Sequence, residues 1–137
     1  MNIYLDIDGV LLTKHGEPAE GVTDFLRHVV KNHTVYWLTT HCKGDTTNLL
    51  AHLQRKLPEV AYRLIHGINP TNWDVAKTDG IDFTEPFLWF DDNCFDFEKK
   101  ILIDRGVLEN WIEVDLRKDG NQLQKFVHDF PLPVSGK

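Results

Sequence analysis

Apolar and polar positions alternate along this chain in a regular succession of short β-type runs and helical stripes. Ile3, Tyr4, Leu5 and Ile7 form a short apolar segment stopped by Gly9, which predicts a buried strand over 2–7. Val22, Phe25, Leu26, Val29 and Val30 recur at the spacing of one helix face, predicting a helix over 18–31 with Pro18 in its first turn. A second buried strand follows at 34–39. Asp45 is placed to cap a helix running to Leu57, where Pro58 stops it. Residues 61–65 are expected to form a short third strand. Residues 66–82 show no clean period and carry Gly67, Pro70 and Gly80, so they read as a long loop, which in a compact domain is usually functional. Phe87-Leu88-Trp89-Phe90 is the strongest buried strand and ends in Asp91-Asp92. Phe97, Ile101 and Leu102 mark a helix ending at Gly106, and 111–114 a last strand. Asp119 with Gln122 resembles a capping box ahead of a helix bearing Leu123, Phe126, Val127 and Phe130.

Strands alternating with helices predict a single α/β domain over 1–137, a three-layer doubly wound parallel sheet of Rossmann-like type. In such sheets the sites form at the carboxyl ends of the strands. The candidate chemistry falls there: Asp6 and Asp8 after the first strand, Thr39 after the second, Asp91 and Asp92 after the fourth, with Lys77 in the loop before it. A lone acid at a strand end most often caps or turns the chain, but coordinated placement at separate strand ends is harder to explain that way. Carboxylates converging in one crevice need a cation, and all-oxygen donors suit Mg²⁺. A Thr hydroxyl and a Lys ammonium beside them make a site for a phosphoryl group, with a carboxylate available for in-line attack.

The string DIDGV (Asp6 to Val10) resembles the first motif of the haloacid dehalogenase-like hydrolase superfamily. YWLTT resembles its second motif with Thr39, Lys77 in AKTDGIDF its third, and LWFDDN its fourth. The resemblance implies that Asp6 is a nucleophile forming an aspartyl-phosphate. It implies that Asp8 is the general acid–base, with its backbone carbonyl on Mg²⁺. Thr39 and Lys77 would bind phosphate, and Asp91 and Asp92 would complete the metal site. Asp96 is a further candidate, with a helix-start acid as its plainer reading. An Asp two positions after the nucleophile points to phosphomonoester hydrolysis, since dehalogenase relatives lack an acid there and the transport ATPases of the superfamily have Thr.

Length then narrows the substrate. Neither the span from Asp6 to Thr39 nor that from Thr39 to Lys77 has room for a cap domain. The expected site is open, suited to a bulky phosphorylated substrate or nucleic-acid end, or covered by a second subunit in a homo-oligomer. The net charge of −6 weighs against extensive nucleic-acid contacts. No apolar run exceeds four residues, which excludes a membrane span of the helical kind. The opening MNIYLDIDG has no secretion pattern, and Cys42 and Cys94 are too few for a disulfide scaffold, so a cytoplasmic location with reduced thiols is expected. Lys14, His15, His41 and Lys43 read equally as leaving-group contacts or solvated loop residues. Trp73 reads as a core cover rather than a stacking platform. The runner-up function is a catalytically idle or regulatory phosphate- or metal-binding domain. Phosphoryl receivers place their acidic pair before the Thr and Lys; here the second acidic pair comes last, an order that fits the hydrolase.

Overall fold

The structure is a computed structural model describing residues 1–137. Four strands, β1 (Asn2–Leu5), β2 (Thr34–Trp37), β3 (Phe87–Asp91) and β4 (Trp111–Glu113), make one sheet in the order β2-β1-β3-β4, with every pair parallel. Strands buried on both faces carry continuous apolar runs, and the FLWF segment of β3 is buried throughout. The two-residue period sorts the side chains. Ile3, Leu5, Val35, Trp37, Leu88 and Phe90 enter one apolar cluster, whereas Tyr4, Phe87 and Trp89 enter a second on the other face.

The larger cluster takes residues from four helices: α1 (Val22–Asn32), α2 (Thr47–Gln54), α3 (Glu59–Leu64) and α5 (Gln122–His128). Helix α1 buries Val22, Phe25, Leu26 and Val29, the stripe expected from the sequence. Phe25 meets Phe90 edge-on at 5.3 Å between ring centroids, and Phe126 packs on Phe90 at 5.3 Å. The smaller cluster takes Leu102 from α4 (Asp96–Asp104) together with Leu38, Ile81 and Cys94.

From β1 the chain moves out to β2, then returns past β1 to β3 and β4. Strands β1 and β3 are therefore neighbours from which the chain departs to opposite sides, and ligands of such sheets bind in the crevice at that switch. Leu5 pairs with Phe90, so Asp6 and Asp91 emerge side by side at its floor.

Several boundaries differ from expectation. Helix α1 starts at Val22, because Pro18 pairs with Leu12 and Gly21 has φ 77°, which stops a helix from beginning earlier. Residues 61–65 are not a strand: 59–64 are helical, and the parallel pairing beside β2 falls at Asn69, which bridges Tyr36. The Asn69 N–H donates to the Val35 carbonyl, and the Trp37 N–H to the Asn69 carbonyl. The expected loop is thus pinned to the sheet edge. The Asp119 N–H donates to the Asp115 carbonyl rather than to the side chain of Gln122. The Gln122 amide accepts from the Asp115 N–H at 2.8 Å and donates to the Glu113 carbonyl, tying α5 to the end of β4. Phe97 faces solvent, stacked on Phe95, while Leu102 carries the buried face of α4. No helix is long and apolar enough to cross a membrane.

Truncating Phe25 removes the ring that joins α1 to β3 at the heart of the larger cluster. Phe25→Ala is expected to cost about 3–5 kcal/mol of unfolding free energy, read from the midpoint of a urea titration.

Candidate active site

Asp6 and Asp91 stand next to each other because β1 and β3 pair in register. The Asp6 N–H continues the ladder by donating to the Phe90 carbonyl at 3.1 Å. Two carboxylates so placed repel strongly in a buried setting. Lys77 answers them, with its Nζ 2.6 Å from Asp91 Oδ2 and 3.5 Å from Asp6 Oδ2. Asp91 is also held by the Trp89 indole N–H at 3.1 Å on Oδ2 and by the Asn93 N–H at 3.2 Å on Oδ1.

Burial raises the Asp91 carboxyl above the usual carboxylate range; Asp6 adds to this and Lys77 opposes it. For Lys77, burial works against the charge, but Asp6 and Asp91 outweigh it and hold the ammonium above its ordinary value. The causes differ, burial for Asp91 and the neighbouring acids for Lys77, but both directions favour keeping protons in the cluster. Asp92 adds a third carboxylate, with oxygens of Asp6, Asp91 and Asp92 all within 4.8 Å of one another. Three oxygen donors against one ammonium fit a hard divalent cation such as Mg²⁺, which these three residues can hold.

The chain after Asp6 folds into a tight turn in which the N–H groups of Val10, Leu11 and Leu12 all donate to the Ile7 carbonyl. Gly9 within it has φ 83°, and a Cβ there would lie 2.5 Å from Asp92 Oδ2. Glycine is required on both counts: for the conformation, and to let the Asp92 carboxylate approach.

The turn also separates the two acids of DIDG. The Asp6 side chain is 11% exposed and faces Lys77. The Asp8 side chain is 64% exposed and lies outside the three-acid cluster, with its Oδ2 2.8 Å from His41 Nε2. Thr39 is fully buried after β2, and its Oγ1 accepts the His41 N–H at 3.3 Å. That bond helps seat the turn carrying His41. The His41 ring stacks on His52 of α2.

Glu98 and His52 went unnoticed in the sequence. Glu98 is buried on α4 and accepts the Lys77 N–H at 2.7 Å and the Phe95 N–H at 3.1 Å. It fixes the backbone from which Lys77 reaches the acids. The signal available was a Glu at the third position of a helix, but Phe95 lacks the side-chain oxygen that completes a capping box. His52 lies in a helix whose apolar stripe draws attention to its leucines.

A cavity of about 280 Å³ opens beside Gly9 and Asp92, bounded by Lys14 and by residues 114–117 after β4. A larger one of about 360 Å³ lies between Phe83, Pro86, Arg105 and the 133–137 segment and includes none of the acids. Lys43 covers the ring of Trp73 at 4.5 Å from its centroid, and Trp73 packs on the smaller core cluster. Asp96 is exposed at the start of α4. Cys42 and Cys94 are both free and buried, and burial pushes the Cys94 thiol up to about 12, so it carries no reactive thiolate at neutral pH. Comparison with known protein families, curated proteins and solved structures finds no match to this chain.

Removing the lysine strands two adjacent buried carboxylates. Lys77→Met is expected to lose about 3–5 kcal/mol of stability in metal-free buffer, measured by chemical denaturation. Added Mg²⁺ is expected to raise the melting temperature of the variant by more than that of the parent.

Proposed function

We propose that this chain is a Mg²⁺-dependent phosphomonoester hydrolase, a capless phosphatase of the haloacid dehalogenase-like type. The observation that carries the reading is the meeting of Asp6, Asp91 and Asp92 around Lys77 at the carboxyl ends of β1 and β3. An anion-repelling set of acids beside a buried ammonium is an arrangement that a phosphoryl group and a divalent cation complete together. The apolar clusters on both sheet faces support the three-layer, doubly wound form of the fold.

In this reading an Asp6 carboxylate oxygen attacks phosphorus in line with the leaving oxygen. The new P–O bond to Asp6 forms as the bond to the leaving oxygen breaks, and Asp8 donates its proton to that oxygen. Lys77 and the Thr39 hydroxyl neutralise and orient the phosphoryl oxygens. Water then attacks the aspartyl-phosphate, Asp8 takes the proton, and phosphate leaves with Asp6 regenerated. Asp6, Asp91 and Asp92 would hold Mg²⁺, which would supply the positive charge that lets an anionic nucleophile meet an anionic phosphate. Asp8 suits the mobile proton because its carboxylate is exposed and lies apart from the three-acid cluster, hydrogen-bonded to His41. Lys14 and Arg117 at the cavity beside Asp92 offer contacts to a bulky, negatively charged leaving group.

An aryl phosphate assay with and without Mg²⁺ tests the reading, and undiminished hydrolysis in excess chelator overturns it. Asp6→Asn is expected to abolish turnover while raising the metal-free melting temperature, because one of two abutting carboxylates is gone. Retained turnover in that variant removes Asp6 as nucleophile. For Asp8→Asn, single-turnover formation of the phospho-enzyme is expected to slow by about 10²–10⁴-fold on an alkyl phosphate. It should slow far less on an activated aryl phosphate, whose leaving oxygen scarcely needs a proton, and phosphorylated Asp6 should accumulate. Equal losses on both substrates without a trapped intermediate remove the acid–base role.

A further inference from the structure

The acids around Lys77 are not the only group of metal-ligating side chains at this end of the sheet. Asp8 from the turn after β1, His41 from the turn after β2 and His52 from α2 bring one carboxylate oxygen and two ring nitrogens within 4.8 Å of one another. We propose that these three residues form a second, separate metal site that binds Zn²⁺, and that its occupation withdraws Asp8 from proton transfer.

The donor chemistry distinguishes the two sites. Mg²⁺ prefers oxygen ligands and parts with its water reluctantly, whereas an imidazole pair with a carboxylate is a zinc donor set. Three protein ligands leave a coordination position open to water or substrate.

Two features of the pocket support an ion there. His41 Nε2 and Asp8 Oδ2 lie 2.8 Å apart, and the hydrogen between them occupies a place a cation can take. His52 Nε2 is buried with no hydrogen-bond partner. A buried ring nitrogen that bonds nothing in the protein is a group that a bound ion explains.

Binding requires a defined rearrangement. The His41 and His52 rings are stacked at 4.9 Å between centroids and 12° from parallel, so their in-plane lone pairs cannot converge as they stand. Zinc–ligand lengths place donor atoms roughly 3.4 Å apart on a tetrahedron. Rotation of the His52 ring out of the stack brings its nitrogen toward the Asp8–His41 pair. With the one hydrogen of the neutral His41 ring on Nδ1, the Nε2 lone pair is free for the ion and no proton is gained or lost by the ring.

The inhibitory consequence rests on the phosphatase reading; zinc binding itself does not. An Asp8 carboxylate committed to Zn²⁺ neither donates a proton to a leaving oxygen nor takes one from water. Hydrolysis then slows, as for loss of the Asp8 carboxylate, with Asp6, Asp91 and Asp92 still free to hold Mg²⁺.

The test is calorimetric titration of the full chain with Zn²⁺ in a large excess of Mg²⁺, which saturates the all-oxygen cluster. One Zn²⁺ per chain is expected. His52→Phe keeps a ring stacked on His41 and deletes a nitrogen that bonds nothing, so the variant should fold; its zinc affinity is expected to fall at least about tenfold. His41→Gln, which keeps a donor toward Asp8, is expected to lose affinity likewise and provides a second reading by the same measurement. Co²⁺ substituted for Zn²⁺ should show ligand-field bands without thiolate charge transfer. Absence of zinc binding in excess Mg²⁺, or equal affinity in the parent and both variants, overturns the site. In the assay, Zn²⁺ should inhibit Mg²⁺-supported hydrolysis by the parent but not by His52→Phe, each against its own zinc-free rate. Zinc that binds without inhibiting overturns the inhibitory role. A chain that hydrolyses nothing refutes the phosphatase reading and leaves the calorimetry to decide the site.

Discussion

Two carboxylates emerge side by side from neighbouring strands at the centre of a buried sheet, and much of the surrounding structure answers that one constraint. Backbone pairing of Leu5 with Phe90 dictates that the next residues, Asp6 and Asp91, stand together. Nothing in the ladder can relieve their repulsion, because every backbone bond that forms the strands also holds the acids in place. Relief has to come from side chains carried by other segments. Lys77 arrives on the long connection between β2 and β3, the Trp89 indole reaches along β3, and the Asn93 N–H closes the turn beyond. Two of these donors are themselves held: Lys77 through its own N–H on the buried Glu98, and Trp89 within the smaller apolar cluster. The last part of that connection is thereby tied to both the sheet and α4.

The same constraint explains why both faces of the sheet need a core. If only the larger cluster existed, Tyr4, Phe87 and Trp89 would face water, and Asp6 and Asp91 would be solvated acids of no special chemistry. The smaller cluster, with Leu102 of α4 and Ile81, removes water from that face of the sheet. Low local polarity strengthens every charge interaction at the strand ends, and it raises both the cost of leaving the acids uncompensated and the benefit of a cation. Packing in the smaller cluster and charge at the site are therefore one problem. The indole of Trp89 belongs to both, since its ring is core and its N–H is a ligand to Asp91.

The strands and the main helices were legible because their apolar spacing is regular and long enough to survive tertiary context: the stripe on α1 and the FLWF run read directly as buried elements. Asp6, Thr39, Lys77, Asp91 and Asp92 were legible because each sits where a strand ends or a long loop returns. What could not be read depends on distances between remote segments. Residues 61–65 carry strand-like apolar residues, yet Pro58 starts a helix there and the pairing beside β2 moves on to Asn69, where a side-chain amide also reaches the Val35 carbonyl. Pro18 fits a helix start in isolation, but the segment between β1 and α1 uses it to pair with Leu12, and Gly21 resets the chain afterwards. Gln122 has the spacing of a cap and the reach of a longer tether, and the nearby Asp115 N–H and Glu113 carbonyl win it. Glu98 escaped notice for a similar reason: its partner Lys77 lies on a different element, and no local pattern records that contact.

The sharpest case is the pair of acids in DIDG. Two residues apart on a continuing strand, Asp6 and Asp8 would share a face and join one anionic cluster. The strand instead ends at Leu5, and three N–H groups converge on the Ile7 carbonyl, so the backbone turns between them. Asp6 is left among acids and an ammonium, where its oxygens are oriented and dry. Asp8 is carried out to His41, where it is wet and hydrogen-bonded to an imidazole. In the proposed phosphatase reading, attack by Asp6 and proton transfer by Asp8 draw on those opposite settings, because an attacking oxygen must be fixed and desolvated while a proton carrier must exchange with water. A single turn, made possible by Gly9 and closed by Asp92 packed against it, converts two identical side chains into groups with different chemistry.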